Sequence, residues 1–79
     1  MKDTLLYLVT ALVDNPKDVE VTESNENDRV LLSLSVNPAD MGKIIGKSGR
    51  IIKALRDLMK VLAAKRNQYV DIVLSEEAK

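Results

Sequence analysis

All three glycines of this chain lie within eight residues of one another, in the stretch GKIIGKSGR at residues 42–50. Glycine weakens helices and strands, but it permits positive φ angles and lets another molecule come close to the backbone. Its confinement to one stretch predicts a sharp bend at Gly46 and Gly49. This bend is either a tight corner of the fold or a binding site.

The length and composition restrict the class of protein. A chain of 79 residues predicts one domain over 1–79, with a core at about 4–74 and fraying at 75–79. The chain contains no Cys and no His, which excludes disulfides, thiolate or imidazole metal sites and the usual nucleophile–base pairs. We expect no cofactor. Because the most apolar stretch, 5–13, is about half the ~17–25 residues of a membrane span, we expect a cytoplasmic protein.

Charge is distributed unevenly, although the chain as a whole is neutral. Residues 43–66 include eight basic side chains and a single acid, Asp57, for a net charge of +7, and the remainder carries −7. Because the basic segment contains two of the glycines, it favours an anionic partner that binds at one place. The alternative is a basic helix face that only contacts solvent.

Hydrophobic periodicity predicts a helix followed by a β-hairpin in the first half of the chain. Asp3 and Thr4 are candidate caps for a helix that Pro16 should stop. The segments at 19–24 and 29–36 then alternate apolar and polar residues, and the intervening NEND has the composition of a turn.

The second half of the chain predicts two helices and a strand. Asn37 can cap a short helix, a longer helix should run over about 49–65, and a third strand over 69–74. The apolar arc of the long helix covers roughly 200°, wider than the ~100° stripe that faces one core, and this width predicts a contact with a second subunit. Its members are Ile51, Ile52, Ala54, Leu55, Leu58, Met59, Val61, Leu62 and Ala63.

Three interpretations of the glycine stretch compete. A nucleotide-binding P-loop requires four residues between its glycines and a preceding strand, but Gly42 and Gly46 enclose three residues and follow a predicted helix. A helix-turn-helix corner that reads DNA requires polar residues early in its second helix, where Ile51 and Ile52 stand. An enzyme is not expected, because no pair of carboxylates is singled out by its spacing.

In the third interpretation the corner itself binds a sugar-phosphate backbone. The glycines permit close approach, the amides of the long helix point at phosphates, and basic side chains add positive potential. Ile44 and Ile45 would offer an apolar wall to unstacked bases. Ser48 either caps the long helix or bonds the ligand, and Gly42 would help the short helix to pack closely. The candidate residues are Lys43, Ile44, Ile45, Gly46, Lys47, Ser48, Gly49, Arg50 and Lys53.

The segment IIGKSGRII at residues 44–52 resembles the signature of KH domains, in which two aliphatic residues precede Gly-x-x-Gly and another follows it. The predicted α-β-β-α-α-β order is similar to the type II form of that fold, and the resemblance extends over about 4–74. It implies an α+β fold with a three-stranded mixed sheet and helices on one face. It also implies that residues 46–49 clamp the backbone of about four nucleotides of single-stranded RNA.

Among KH proteins, the chain resembles the KhpA family of small bacterial proteins. That resemblance implies a cytoplasmic RNA chaperone with a role in cell shape, which forms homodimers and pairs with the larger KH protein KhpB. The ligand could also be single-stranded DNA. Two other interpretations stay open: a protein-interaction module with this fold and a helix-turn-helix DNA-binding domain.

With no Phe or Trp and only Tyr7 and Tyr69, the chain lacks the aromatic platform of other RNA-binding folds. Tyr7 should be a partly buried or rim residue of the first helix, and Tyr69 is a candidate edge residue that could contact RNA.

Overall fold

The computed structural model describes residues 1–75 and confirms the predicted order of elements. The helices are α1 (Lys2–Thr10), α2 (Met41–Ile45) and α3 (Arg50–Ala64), and the strands are β1 (Glu20–Glu26), β2 (Arg29–Ser35) and β3 (Tyr69–Ser75). Short 3₁₀ turns lie at Pro16–Asp18, Pro38–Asp40 and Lys47–Gly49. Of the segment where fraying was predicted, Ser75 ends β3, and 76–79 lie outside the described residues.

The three strands form one mixed sheet in the order β1-β2-β3, as the sequence resemblance implied. β1 and β2 are antiparallel, whereas β2 and β3 are parallel and pair Val30 with Val70 and Leu32 with Ile72. A parallel pair requires a crossover connection between its strands. Here α2 and α3 form that crossover, and the glycine stretch lies between them.

One face of this sheet is covered by the helices. The alternating β2 side chains Val30, Leu32 and Leu34 are buried in a single core, which α1 enters with Leu5 and α3 with Met59. On the uncovered face, Leu31 and Val73 keep 40% and 48% of their surface exposed. The predicted one-sided arrangement is confirmed.

Helix α1 differs from the prediction at both ends. It begins at Lys2 with Met1 as the cap, and no side chain of Asp3 or Thr4 caps it. It ends at Thr10, six residues before Pro16, and the N–H groups of Asp14 and Asn15 then bond Asp40. The Thr10 hydroxyl donates to the carbonyl of Leu6 at 2.9 Å, a bond that competes with regular helix geometry.

The hairpin turn is tighter than predicted, because β1 and β2 continue to Glu26 and Arg29, which pair with each other. Only two residues connect the strands, and Asn27 has a φ of 58°, as asparagine tolerates in turns. The predicted cap at Asn37 is confirmed, since its side chain accepts a hydrogen bond from the backbone N–H of Ala39 at 2.8 Å.

Candidate nucleic-acid interface

The corner between α2 and α3 is built from residues with unusual backbone angles. Gly46 (φ 76°, ψ 176°) ends α2, and its N–H donates to the carbonyl of Gly42 at 2.9 Å. Ser48 (φ 59°, ψ 28°) and Gly49 (φ 71°, ψ 17°) are left-handed, so three of the four residues at 46–49 have positive φ. The corner therefore turns the chain into α3 within one short 3₁₀ turn.

Each glycine of the stretch has a different environment. A Cβ atom at Gly46 would lie 2.5 Å from Cγ1 of Ile51, so a side chain cannot be added without displacing that residue. At Gly49 a Cβ atom would meet nothing within 4 Å, which leaves room for a ligand above the backbone. Gly42 also has nothing within 4 Å. The expectation that Gly42 allows close helix packing is therefore wrong.

Lys47, Ser48 and Arg50 surround the corner and are exposed. Their side chains form no hydrogen bond or ion pair within residues 1–75. Ser48 does not cap α3, because the cap residue is Gly49 and no side chain bonds the first amides of that helix. Those amides carry the positive end of a 15-residue helix dipole. Within residues 1–75, the corner thus combines unpaired cations and an unpaired hydroxyl with the positive end of a helix dipole.

The outer two candidate cations are ion-paired. Lys43 Nζ lies 3.3 Å from a carboxylate oxygen of Asp14, and Lys53 Nζ lies 3.2 Å from Asp57. Both pairs are exposed, and such pairs are worth only about 0–1 kcal/mol. A phosphate can replace either carboxylate at small cost.

The two isoleucines before Gly46 are not equivalent. Ile44 is completely buried and joins the core, so it offers no surface to a base. Ile45, the next residue of the helix, points away from the core and is half-buried. The predicted apolar wall therefore cannot include the Ile44 side chain, which anchors α2 to the core instead.

A buried carboxylate, which the sequence did not single out, holds α2 in place. Asp40 has 1% of its surface exposed and accepts bonds from the backbone N–H groups of Asp14 (3.2 Å) and Asn15 (3.0 Å). Burial alone would raise the pKa of Asp40, but these bonds, a third from the Asn15 side chain and the charge of Lys43 hold the pKa below its usual value. The charged Asp40 fastens the segment after α1 to the start of α2.

A basic stripe runs along α3, as the basic segment of the sequence indicated. Lys53, Arg56 and Lys60 follow one another at spacings of three and four residues, so they share a helix face. Arg56 Nε donates to the carbonyl of Ile72 at 3.4 Å, which puts this face beside the free outer edge of β3. A groove of about 390 Å³ lies there, lined by Arg56, Lys60 and β3. The charge spacing along the predicted helix indicates the stripe, but only the structure shows that β3 lies beside it.

Other kinds of site are not found in the described part of the chain. Residues 1–75 contain no group of three or more His, Cys, Asp or Glu side chains placed to hold a metal ion. Over the same residues, no helix has the length and apolar character needed to cross a membrane.

The α-β-β-α-α-β order, the mixed sheet and the glycine corner between two helices define a type II KH domain. The sequence model of the family described as "KhpA/KhpB, KH domain" matches residues 2–74, and the chain belongs to this family. It is 46% identical over 70 residues to the RNA-binding protein KhpA of Clostridium perfringens, covering 89% of this chain and 93% of the relative. It is 42% identical over 77 residues to the RNA-binding protein KhpA of Chlamydia pneumoniae, covering 98% of this chain and 99% of the relative.

Proposed function

We propose that this chain is a single KH domain that binds single-stranded RNA by its sugar-phosphate backbone at the glycine corner. The observation that carries the proposal is the set of unpaired polar groups of Lys47, Ser48 and Arg50 around the open backbone of Gly49. Two relatives at 42% and 46% identity are named RNA-binding proteins, which supports the same ligand.

In this proposal, one phosphate lies over Gly49 at the start of α3, where the helix dipole attracts negative charge. Lys47 and Arg50 neutralise this phosphate and its neighbour, and Lys43 or Lys53 leaves its carboxylate to bind a further one. Ile45 contacts an unstacked base. Few of these contacts depend on base identity, so binding is weak and tolerant of sequence. Single-stranded DNA, which presents the same phosphates, is the alternative ligand.

The RNA leaves the corner along the basic stripe of Lys53, Arg56 and Lys60. Arg56 and Lys60 border the groove beside β3, so the backbone follows the stripe while bases enter the groove. The role is binding without a catalytic step. A chaperone or post-transcriptional regulator in the cytoplasm needs this kind of loose, sequence-tolerant contact, and a role in cell shape would follow from the RNAs that it regulates.

The dependence of affinity on salt tests this picture. For a four-nucleotide RNA that occupies the corner alone, with about three phosphates neutralised, the logarithm of the association constant should fall against the logarithm of salt concentration with a slope of about −2. Fluorescence anisotropy with a labelled single-stranded RNA at several salt concentrations measures the slope. A slope of zero would contradict backbone recognition.

We further propose that α3 forms a homodimer through a face different from the basic stripe. Ile51, Leu58 and Val61 are exposed, and their spacings of seven and three residues align them along the helix. A 79-residue domain buries a modest share of its surface, so pairing these side chains adds apolar burial that a single chain lacks. The KH domain of a KhpB protein would use the same face in a heterodimer.

Replacement of Leu58 by lysine should convert the dimer into a monomer. Leu58 is 44% exposed, so the charge disturbs the proposed interface without entering the core. The matched control is Leu31→Lys, at a side chain that is 40% exposed on the uncovered sheet face and should leave the dimer intact. Analytical ultracentrifugation gives the masses, and a monomeric native protein at high micromolar concentration would refute the homodimer.

A further inference from the structure

The end of α3 that lies farthest from the glycine corner carries a second cavity. Its volume is about 450 Å³, and its lining includes Lys60, Ala64, Gln68 and Tyr69. Tyr69 is 73% exposed, which is unusual for the large aromatic ring of a strand residue. We propose that this cavity is a nucleobase-stacking site, in which Tyr69 stacks on a base of the RNA strand held at the corner. The inference rests on the proposed function.

Tyr69 is well placed to act as a fixed platform. Its backbone N–H donates to the carbonyl of Asp28 at 2.9 Å, and its residue position pairs with Arg29 in the parallel register of β2 and β3. The ring therefore projects from a backbone that is held on two sides. Because this backbone is already ordered, a base that stacks on the ring does not have to order it.

Charge indicates which side of the ring a nucleotide takes. On one side the cavity brings Lys60 and Arg29 together, where Arg29 also pairs with Asp71 at 3.8 Å. A smaller hollow of about 240 Å³ beside Tyr69 is lined by Glu26, Asp28 and again Arg29, so its two carboxylates outnumber its one cation and disfavour a phosphate. The nucleotide therefore enters from the side of Lys60, with its phosphate on that ammonium group.

The basic stripe connects this cavity with the corner. Lys60 belongs to both the stripe and the cavity lining, and Ala64 continues the same helix face four residues later. The face runs along α3, whose 15 residues span about 22 Å. The corner of a KH domain holds about four nucleotides. Only a longer RNA should therefore fill the corner and reach Tyr69.

The two tyrosines of the chain allow a matched affinity test. Tyr7 is 74% exposed on α1, remote from α3 in the chain, and is the control for Tyr69. Tyr69→Ala should weaken the binding of an eight-nucleotide oligouridylate by about tenfold, whereas a four-nucleotide oligouridylate should bind both proteins equally. Tyr7→Ala should change neither affinity. Tyr69→Phe should keep the native affinity, because stacking needs the ring and not the hydroxyl. Circular dichroism verifies the fold of each variant.

Tyrosine fluorescence gives a direct reading of the stacked base, because the chain has no Trp. In Tyr7→Phe, where Tyr69 is the remaining tyrosine, the eight-nucleotide RNA should quench the emission. In Tyr69→Phe, where Tyr7 remains, it should not. Lys60→Gln leaves β3 unchanged and should lower the affinity for the eight-nucleotide RNA more than the affinity for the four-nucleotide RNA.

The outcomes separate this inference from the proposed function. If native protein binds both RNAs but Tyr69→Ala binds the long one as tightly, and Tyr69 is not quenched, the stacking site is refuted while the corner remains. If native protein binds neither RNA, both proposals fall. If an acidic peptide quenches Tyr69 and the RNA does not, the cavity is a protein-binding site and the nucleotide assignment is wrong.

Discussion

The double variant Lys47→Asp, Ser48→Asp should bind single-stranded RNA on the order of 100-fold more weakly than the native protein, with its fold intact. It removes one unpaired cation and puts two carboxylates where a phosphate is proposed to lie. Loss of a charge-assisted bond costs about 1.5–3 kcal/mol, and each 1.4 kcal/mol is a factor of ten in affinity. Because both side chains are exposed, circular dichroism should show native helix and strand content.

A charge-matched control separates the effect of the corner from the effect of the protein's net charge on RNA affinity. Lys17→Asp, Ser24→Asp makes the same change in net charge at exposed positions in the acidic part of the chain. Fluorescence anisotropy at one fixed salt concentration should show nearly native affinity for this control. If the two double variants bind equally well, the glycine corner is a structural feature and RNA binds elsewhere.

The second large effect is expected for Gly46→Ala, which should lower the free energy of unfolding by at least about 2 kcal/mol. The angles of Gly46 (φ 76°, ψ 176°) belong to a region that other residues avoid at a cost of about 1–3 kcal/mol. The new Cβ would also press on Ile51, and overpacking adds about 1–3 kcal/mol. Urea denaturation measures the change, provided that the slope of the unfolding free energy against urea concentration is the same for the variant and the native protein.

The other two glycines serve as graded controls. Gly42→Ala lies inside α2 with open space around it and should stabilise the protein by about 0.5–1 kcal/mol. Gly49→Ala has a left-handed φ but no clash, so it should cost about 1–2 kcal/mol. A Gly46→Ala protein as stable as the Gly42→Ala protein would contradict the geometry of the corner. Gly46→Ala should also weaken RNA binding, because it displaces Ile51 at the start of α3.

Much of the fold was predictable because its signals are local. The alternation of Val30, Leu32 and Leu34 identified the buried face of β2, and Asn37 before a proline identified the start of the turn into α2. The bend at Gly46 and Gly49 was predictable since positive φ is a property of the residue itself. The family resemblance followed from the same short segment, and the family match over 2–74 confirms it.

The sequence by itself thus determined the order of the elements, the position of the corner and the excess of basic residues around it. Only the tertiary structure decided which of those residues are free. Lys47 and Arg50 are unpaired within 1–75, whereas Lys43 pairs with Asp14, 29 positions away. Three other features also join residues that are separated along the chain. Asp40 bonds the segment after α1, Arg56 bonds β3, and Lys60 and Tyr69 line one cavity. Periodicity and propensity report on neighbours within a turn or two, so packing between separate elements had to supply these contacts.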